Sequence, residues 1–404
     1  MGRRGSPSPA CCKKYGLPLY CASWIPVNQI QQLLHQQSEK GEEKKEEEQK
    51  EESGSNEQKS SSSKIQHYNY YLVLGGGGGE GRSGLSNAFL LTQFDFSSAS
   101  LSEEPVNKLG TGGDLPYRMA VHPGGEGLIC SFPKSCRWFE WDIPESKEVQ
   151  KMALKSSGKV LTELEDVGLQ LALTFNAEGS ILASGGEDGH LRVFKWPSME
   201  VLLDQPDAHA SVKDLDFSSD GKFLASMGSS GPCRVWDLTS LMVVANLPRE
   251  NGEVFGFCRF SRSSDDNQTL YVTAMQGQHG SIVSWNTISW ERIGSKKIAR
   301  DPISAFNVSA DGEFLAVGTI EGDIVIRNSS MQVHTTVKKA HLGLVTALVF
   351  SHDSRAVVSA SFDSSARVTI IEDKKRNGLT IWAIIMIILL AIVACFVKQK
   401  GVLQ

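Results

Sequence analysis

The sequence predicts an all-β fold, a seven-bladed β-propeller of the WD-repeat type, followed by one C-terminal transmembrane helix. Three observations support this prediction. A unit recurs from Val121 onward at spacings of 42 to 54 residues. Each copy contains short apolar strands separated by turns rich in Asp, Gly and Ser, and a long uncharged apolar run lies close to the C-terminus. A period near 40 to 45 residues with four short strands in each unit is typical of WD-repeat propellers.

The repeats are best seen in four copies that share the same order of strands and turns. These copies are FNAEGSILASGGEDGHLRVFKW (Phe175–Trp196), FSSDGKFLASMGSSGPCRVWDL (Phe217–Leu238), VSADGEFLAVGTIEGDIVIRNS (Val308–Ser329) and FSHDSRAVVSASFDSSARVTII (Phe350–Ile371). Two weaker copies begin at Val121 and Phe260. Six units, together with the apolar segments Gly16–Trp24 and Tyr70–Phe96, predict seven blades in which the N-terminal segments complete the ring.

The repeats also contain residues that are typical of WD units. Trp236-Asp237 is an intact Trp-Asp pair. His209 and His341 each follow Ala and precede a strand, at the place where such repeats hold a structural histidine. We therefore predict that both histidines form hydrogen bonds within the fold and that neither is catalytic.

The two ends of the chain predict a membrane anchor. Residues 379–397 (LTIWAIIMIILLAIVACFV) contain no charge, Pro or Gly, and a helix of this length spans about 28 Å. Residues 1–14 are basic but have no apolar run typical of a signal peptide, and we predict that they are disordered. The expected topology places a propeller at residues 15–372 in the cytosol, with a short lumenal tail at 398–404. The span is at the short end of the usual range, which suits the thinner bilayer of the endoplasmic reticulum.

Composition excludes several classes of function. The net charge of −5 argues against a nucleic-acid-binding protein. Residues 36–64 alternate Glu and Lys and end in a Ser run, so we expect a solvated insert within the propeller. The eight cysteines show no zinc spacing, and the chain has no G-x-S-x-G elbow or paired Cys and His nucleophile. The sequence therefore predicts that the protein catalyses no bond-breaking chemistry.

The most unusual segment runs from Gly75 to Asn87 (GGGGGEGRSGLSN), between two strand-like runs. Five consecutive glycines allow positive φ angles and a close approach to another surface. Gly76-x-x-x-x-Gly81-Arg82-Ser83 imitates the P-loop pattern with Arg in place of Lys, and the same glycines satisfy G-x-G-x-x-G, but both motifs require a helix to follow. Here AFLLTQFDF reads as a strand. We therefore reject a nucleotide-binding enzyme and expect a loop that contacts a partner.

YLVLGGGGGEGRSGLSNAF, followed by DLPYRMAVHPGGEGLICSFPKSCRWFEW, resembles the Sec-twelve (SEC12) family, and in particular its plant SEC12-like branch. Members of that family are propellers of the endoplasmic reticulum membrane and exchange factors for the small GTPase of the COPII coat. The resemblance implies that the glycine segment contacts the GTPase and holds a potassium ion through backbone oxygens. The implied contact residues are Gly75, Gly76, Gly77, Gly78, Gly79, Glu80, Gly81, Arg82, Ser83, Gly84 and Asn87.

Two alternatives stay open. Arg82-Ser83 stands where the better-known exchange factors carry Lys-Thr. One alternative is therefore an exchange-inactive helper for the exit of specific membrane cargo, such as phosphate transporters, from the endoplasmic reticulum. The other is a WD-repeat scaffold that gathers partners without acting on a GTPase, because propellers host many functions.

Overall fold

A computed structural model describes residues 9–32, 70–81, 84–142, 152–250, 252–262, 269–371, 386, 389 and 390. The chain divides into a unit at Met1–Ile370 and a unit at Ile371–Gln404. Met386, Leu389 and Leu390 are helical, and the rest of the predicted span at 379–397 lies outside the described residues. Within the described part of the chain, no helix has the length and apolarity needed to cross a membrane.

The first unit is a ring of seven antiparallel sheets, which confirms the prediction of an all-β, seven-bladed propeller. Blade 1 contains β2 (Leu19–Trp24), β3 (Tyr70–Gly76), β4 (Asn87–Asp95), β5 (Ser100–Leu101) and β6 (Asn107–Gly112). Blade 2 contains β7 (Arg118–Val121), β8 (Gly127–Ser131), β9 (Cys136–Asp142) and β10 (Ala153–Ser156), and blade 3 contains β11 (Gln170–Phe175), β12 (Ile181–Gly186), β13 (Leu191–Lys195) and β14 (Glu200–Gln205). Blade 4 contains β15 (Val212–Phe217), β16 (Phe223–Gly228), β17 (Cys233–Asp237) and β18 (Met242–Leu247).

The remaining three blades have the same order of strands. Blade 5 contains β19 (Glu253–Phe260), β20 (Thr269–Gln276), β21 (His279–Asn286) and β22 (Arg292–Ala299), and blade 6 contains β23 (Ile303–Val308), β24 (Phe314–Thr319), β25 (Ile324–Asn328) and β26 (Val333–Val337). Blade 7 contains β27 (Val345–Phe350), β28 (Ala356–Ser361), β29 (Ser365–Ile370) and β1 (Cys12–Lys14). A helical segment at residues 27–32 and a 3-10 turn at Thr162–Leu164 lie between strands.

The ring closes through the N-terminal strand β1, and for the described residues 9–14 this corrects the prediction of a disordered N-terminus at 1–14. β1 pairs antiparallel with β29, with Cys12 opposite Arg367 and Lys14 opposite Ser365. The pairing covers the outer edge of β29, which would otherwise be unpaired. Residues 1–8 and the predicted insert at 36–64 lie outside the described residues.

The core lies between neighbouring blades, because both faces of each sheet are covered. Leu72 and Leu74 of β3 and Leu90 of β4 pack in one cluster with Val358 and Val368 of blade 7, and all five are at most 1% exposed. Strands buried on both faces are apolar at successive positions instead of alternating. This explains why the second strands appear in the sequence as short continuous apolar runs.

The two predicted structural histidines lie inside blades. His341 is 2% exposed, with Ser365 Oγ at 2.6 Å from its Nδ1 and Ser359 Oγ at 2.7 Å from its Nε2. His209 Nε2 lies 2.8 Å from Ser226 Oγ, which also accepts a hydrogen bond from the indole of Trp236. Burial lowers the pKa of each histidine to about 4. Both are therefore neutral in the fold at physiological pH, as expected of structural residues.

Candidate functional site

The candidate site is the connection between β3 and β4 in blade 1, which we call the glycine loop and define as residues 77–86. Gly75 and Gly76 do not belong to it, because they pair with Phe89 and Ala88 as the last residues of β3. Asn87 is the first residue of β4. The sequence prediction of a loop from Gly75 to Asn87 is therefore too long at both ends. Arg82 and Ser83 lie outside the described residues.

Gly75 and Gly76 are required for packing. A Cβ on Gly75 would lie 2.6 Å from Cys21 Sγ, and a Cβ on Gly76 would lie 2.0 Å from the carbonyl oxygen of Pro18. The same carbonyl accepts a hydrogen bond from Gly77 N at 3.0 Å, so the chain before β2 packs closely against the end of β3. The first two glycines of the five therefore allow two backbone segments to pack closely.

Gly77 begins the loop in a conformation that favours glycine. Its φ is +150°, and a Cβ at this position would lie 2.2 Å from Asn87 Oδ1. Two further glycines, Gly79 and Gly84, have φ angles of +72° and +71°, and no atom lies within 4 Å of a Cβ built on either. A positive φ favours glycine at Gly79 and Gly84. At Gly77, both the φ angle and the lack of space for a Cβ favour glycine.

Asn87 holds the loop at its base. Its side chain is buried, and Oδ1 accepts a hydrogen bond from Gly79 N at 2.9 Å. Its Nδ2 donates to the carbonyl oxygens of Gly79, Gly112 and Gly113 at 3.3, 3.1 and 2.9 Å. The amide thus joins the glycine loop to the turn that follows β6. Asn87 therefore lies in β4 as a positioning residue at the base of the loop, and its side chain is buried, whereas the resemblance implied a contact residue.

The tip of the loop is exposed. Glu80, Gly81 and the segment from Gly84 to Ser86 are open to solvent, and Leu85 is 41% exposed. Lys108 Nζ, on the neighbouring strand β6, donates a hydrogen bond to Ser86 Oγ at 3.3 Å. The loop therefore has a fixed base and a tip that offers a carboxylate, an apolar side chain and backbone groups to a partner.

Sequence reasoning missed the turn that supports the loop. Thr111-Gly112-Gly113-Asp114 leads from β6 toward β7, and Thr111 Oγ1 donates to the carbonyl oxygen of Asp114 at 2.7 Å. The Asp114 side chain also forms an ion pair with Arg137 of blade 2. The Gly112-Gly113 pair was the sequence feature that could have indicated this turn, because adjacent glycines commonly mark turns.

The fold after the loop excludes a P-loop. β4 follows directly at Asn87–Asp95, so no helix N-terminus is available there to bind a phosphate. No cluster of three or more His, Cys, Asp or Glu suited to a metal occurs in the described ranges.

The central cavity of about 470 Å³ is lined by Asp214 and Asp216, among other residues, and these two carboxylates pair with Arg259 and Arg262 of the next blade. These ion pairs connect blades 4 and 5.

The oxygen atoms near the loop are of the type that binds potassium, since this ion takes backbone carbonyls as ligands. The carbonyl oxygens of Gly79, Gly112 and Gly113 all lie within 3.3 Å of one point, but Asn87 Nδ2 occupies that point. The observed arrangement therefore does not fit an ion bound among these three oxygens. A potassium ion at the loop stays a prediction from the resemblance.

Comparison with known proteins first supports the fold. Residues 173–258 match the family model for the anaphase-promoting complex subunit 4 WD40 domain, and residues 332–369 match the model for the WD domain, G-beta repeat. Together these matches lie in blades 3, 4, 6 and 7, with the first reaching into β19 of blade 5. They agree with the sheets observed in the structure.

Comparison with whole proteins identifies the family. The chain is 49% identical to SEC12-like protein 2 of Arabidopsis thaliana over 93% of this chain and 91% of that protein. It is 31% identical to SEC12-like protein 1 of the same plant over 78% of this chain and 80% of that protein. It is 24% identical to the guanine nucleotide-exchange factor SEC12 of Rattus norvegicus over 60% of this chain and 63% of that protein. The chain is a member of the SEC12-like family of WD-repeat propellers.

Proposed function

We propose that the protein is a guanine-nucleotide exchange factor for the small GTPase of the COPII coat, and that the glycine loop is the element that contacts the GTPase. One observation carries this proposal: Asn87 fixes the base of the loop through Gly79, Gly112 and Gly113, while the tip stays exposed. Binding elements are commonly loops positioned by a rigid scaffold. The name of the rat relative, an exchange factor, supports the same assignment.

The chemistry of exchange agrees with the composition of the tip. An exchange factor breaks no covalent bond, and it shifts the GTPase toward the nucleotide-free state by binding that state more tightly than the loaded state. The Glu80 carboxylate would compete with nucleotide phosphates for cationic groups on the GTPase. The glycine backbone around it allows close approach to a nucleotide pocket, because no side chains intervene.

The proposal also includes a location. Residues 379–397 would anchor the protein in the endoplasmic reticulum membrane, with the propeller facing the cytosol, where it promotes formation of transport vesicles. The support is the uncharged apolar run, which has the length of a membrane-spanning helix. Anchoring would raise the local concentration of a GTPase that visits the same membrane.

The test is nucleotide release from the coat GTPase, measured with the full-length protein in detergent. We expect the wild type to accelerate release and a variant with Glu80→Ala and Leu85→Ala to lose at least about tenfold of that acceleration, equivalent to about 1.4 kcal/mol. Ile288→Ala, at a residue of blade 5 that is 70% exposed, is the matched control and should behave as the wild type. Equal acceleration by the wild type and the tip variant would contradict the role of the loop.

A second candidate function is an exchange-inactive helper for export of particular membrane cargo, such as phosphate transporters. One observation favours it: the identity is 49% to a SEC12-like protein but 24% to the named exchange factor. The resemblance adds that Arg82-Ser83 stands where the better-known exchange factors carry Lys-Thr. This function predicts no nucleotide release by the wild type but loss of cargo exit in the tip variant. If neither release nor cargo exit depends on the tip, the propeller is a scaffold that acts through another surface.

A further inference from the structure

The innermost strands of the blades line the central cavity, and near its start each of five of them contains one extra residue. At this residue the pairing with the second strand shifts, which is the mark of a β-bulge. The bulge residues are Tyr20 in β2, Leu171 in β11, Lys213 in β15, Ser304 in β23 and Thr346 in β27. All of them except Ser304 line the cavity. A β-bulge re-aims a side chain, so this level of the cavity carries side chains that the regular ladder would direct elsewhere.

Arg118 holds the corresponding place in blade 2. The backbone N–H groups of Tyr117 and Arg118 both donate to Ser131, the first to its carbonyl oxygen at 3.0 Å and the second to its Oγ at 3.1 Å. In blade 5, Phe257 lies in the bulge of β19 and donates in the same way to Thr273 Oγ1 at 2.8 Å. Arg118 and Phe257 both line the cavity. Arg118 and Lys213 therefore lie at the same level of the cavity, in blades 2 and 4.

The charges that line the cavity do not balance. Its described Arg, Lys, Asp and Glu residues are four cations and two carboxylates: Arg118, Lys213, Arg259, Arg262, Asp214 and Asp216. Both carboxylates are already paired with the two arginines of blade 5. Neither Arg118 nor Lys213 forms an ion pair with a described carboxylate, and Lys213 is exposed. Arg118 donates only through Nη1, to the carbonyl oxygens of Tyr20 and Tyr117. The cavity thus has two cations that no protein carboxylate neutralises.

We propose that this level of the cavity binds a small anion with two or more phosphate groups, between Arg118 and Lys213. Two cations that line one cavity repel each other, and a bound anion removes this repulsion. Guanidinium groups bind phosphate in a bidentate manner, and lysine binds it as a point charge. The two cations stand on either side of blade 3, whose bulge residue Leu171 is apolar, so an anion charged at two points matches them better than a single phosphate. A cavity of about 470 Å³ has the size of a small-molecule site.

The bulges lie toward the face of the propeller that carries the glycine loop. Gly76, at the end of β3, pairs with Leu19, which directly precedes the bulge residue Tyr20. Pro116, two residues before Arg118, has its Cβ 3.1 Å from the position of a Cβ on Gly75. A bound anion would therefore add negative charge near the base of the loop. The site is separate from the proposed contact with a GTPase, and testing it requires no GTPase.

The experiment is isothermal titration of the full-length protein in detergent with inorganic triphosphate, at low salt because salt screens exposed charges. We expect one triphosphate to bind to each wild-type chain, and Lys213→Gln to weaken binding at least about tenfold. Lys213→Arg keeps the charge and should bind as the wild type does. Lys134→Gln is the matched control, because Lys134 is an exposed lysine between β8 and β9 on the same face but does not line the cavity. Arg118→Gln should also weaken binding.

Lys213 is the decisive position, because its side chain donates no hydrogen bond to a described residue and its replacement should leave the melting temperature unchanged. A wild type that does not bind triphosphate overturns the proposal, as does binding that is equally tight in Lys213→Gln or equally weakened in Lys134→Gln. Binding of a poly-glutamate peptide without binding of triphosphate also overturns it, since the ligand would then be a protein segment.

A competition experiment identifies the source of the phosphate groups. A short-chain phosphatidylinositol bisphosphate is added to the detergent micelles before titration with triphosphate. If the lipid competes, and Lys213→Gln removes the competition, a lipid headgroup occupies the site. If the lipid does not compete, the ligand is a soluble compound. Both results support the phosphate site.

Discussion

The connections between the second and third strands of blades 1 and 7 occupy the same place in neighbouring blades, yet they are built differently. In blade 7 only three residues separate β28 from β29, and Asp363 Oδ1 and Oδ2 accept hydrogen bonds from the backbone N–H groups of Ser365 and Leu342. His341 bridges Ser359 and Ser365 beneath this turn. In blade 1 ten residues separate β3 from β4, and Asn87 is the buried side chain that holds them.

The difference shows how a repeat is converted into a candidate binding element. The short turn of blade 7 is held by several side chains from within its own blade, as scaffold turns usually are. The glycine loop is held mainly near its start, where Gly77 and Gly79 form hydrogen bonds, and its described residues 80, 81 and 84–86 are exposed. The loop is therefore packed at its base and exposed at its tip, where the proposed contact with a GTPase would form. The four predictions below test this separation.

The largest effect is expected at the base of the loop. Gly76→Val should destabilise the propeller by about 3 kcal/mol or more, because the new side chain meets the backbone carbonyl of Pro18, which cannot move without displacing β2. Gly110→Val, on the outer strand β6 of the same blade, is the control, since no atom lies within 4 Å of a Cβ at that site. Denaturant unfolding measures both. Equal stability of the two variants would show that the base is not tightly packed.

Acid should weaken blade 7 through His341. Burial lowers the pKa of His341 from 6.5 to about 4, so the folded state stays neutral while the unfolded chain takes up a proton below pH 6.5. The stability contribution is therefore complete above pH about 6.5 and is lost as the pH falls toward 4, by on the order of 3 kcal/mol. Asn87 does not titrate, so the base of the glycine loop lacks this dependence.

Thermal unfolding between pH 7 and pH 5 measures the effect of His341. We expect His341→Gln to lower the melting temperature at pH 7 and to reduce the steepness of its fall with acid. The dependence should not vanish, because burial also lowers the pKa of His209 to about 4. A variant whose melting temperature falls as steeply as that of the wild type would assign the acid sensitivity to other groups.

An intermediate effect is expected at Asn87. Asn87→Asp replaces the Nδ2 donor by an oxygen that faces the carbonyl oxygens of Gly79, Gly112 and Gly113. Loss of these bonds in a buried position should cost about 2 to 3 kcal/mol and loosen the loop. Gln93→Glu makes the same amide-to-acid change in the same strand and is the control, because Gln93 is only partly buried. Unfolding experiments and hydrogen exchange at Gly79 N should show both changes in Asn87→Asp alone.

The smallest effects compare two glycines with positive φ. Gly77→Ala should cost about 1 to 3 kcal/mol, because its Cβ would meet Asn87 Oδ1 at 2.2 Å. Gly84→Ala should cost about 1 kcal/mol, since only backbone strain opposes it and the space around it is open. Both are measured by thermal unfolding. If Gly84→Ala proves the more damaging, the tip of the loop is more constrained than its base, and the comparison between the blades fails.

Local pattern in the sequence determined the number and type of blades. Strand length, turn residues and the repeat period are properties of neighbouring residues, so the six units from Val121 and the strand after the glycine loop were predicted from sequence alone. The structural role of the two histidines was also predictable, because each occupies a fixed place within its repeat.

Tertiary structure alone decided the features that depend on residues far apart in the chain. β1 closes the ring by pairing with β29, which is the last strand of the propeller in chain order. Gly76 needs to be glycine because Pro18 packs against it, and Asn87 holds the loop through Gly112 and Gly113. The run of five glycines therefore predicted one loop from Gly75 to Asn87, whereas in the fold Gly75 and Gly76 are packed in β3 and the tip is exposed. The hydrophobic periodicity of a sequence predicts which face of a strand is buried. It does not predict which distant backbone group a given residue contacts in the folded protein.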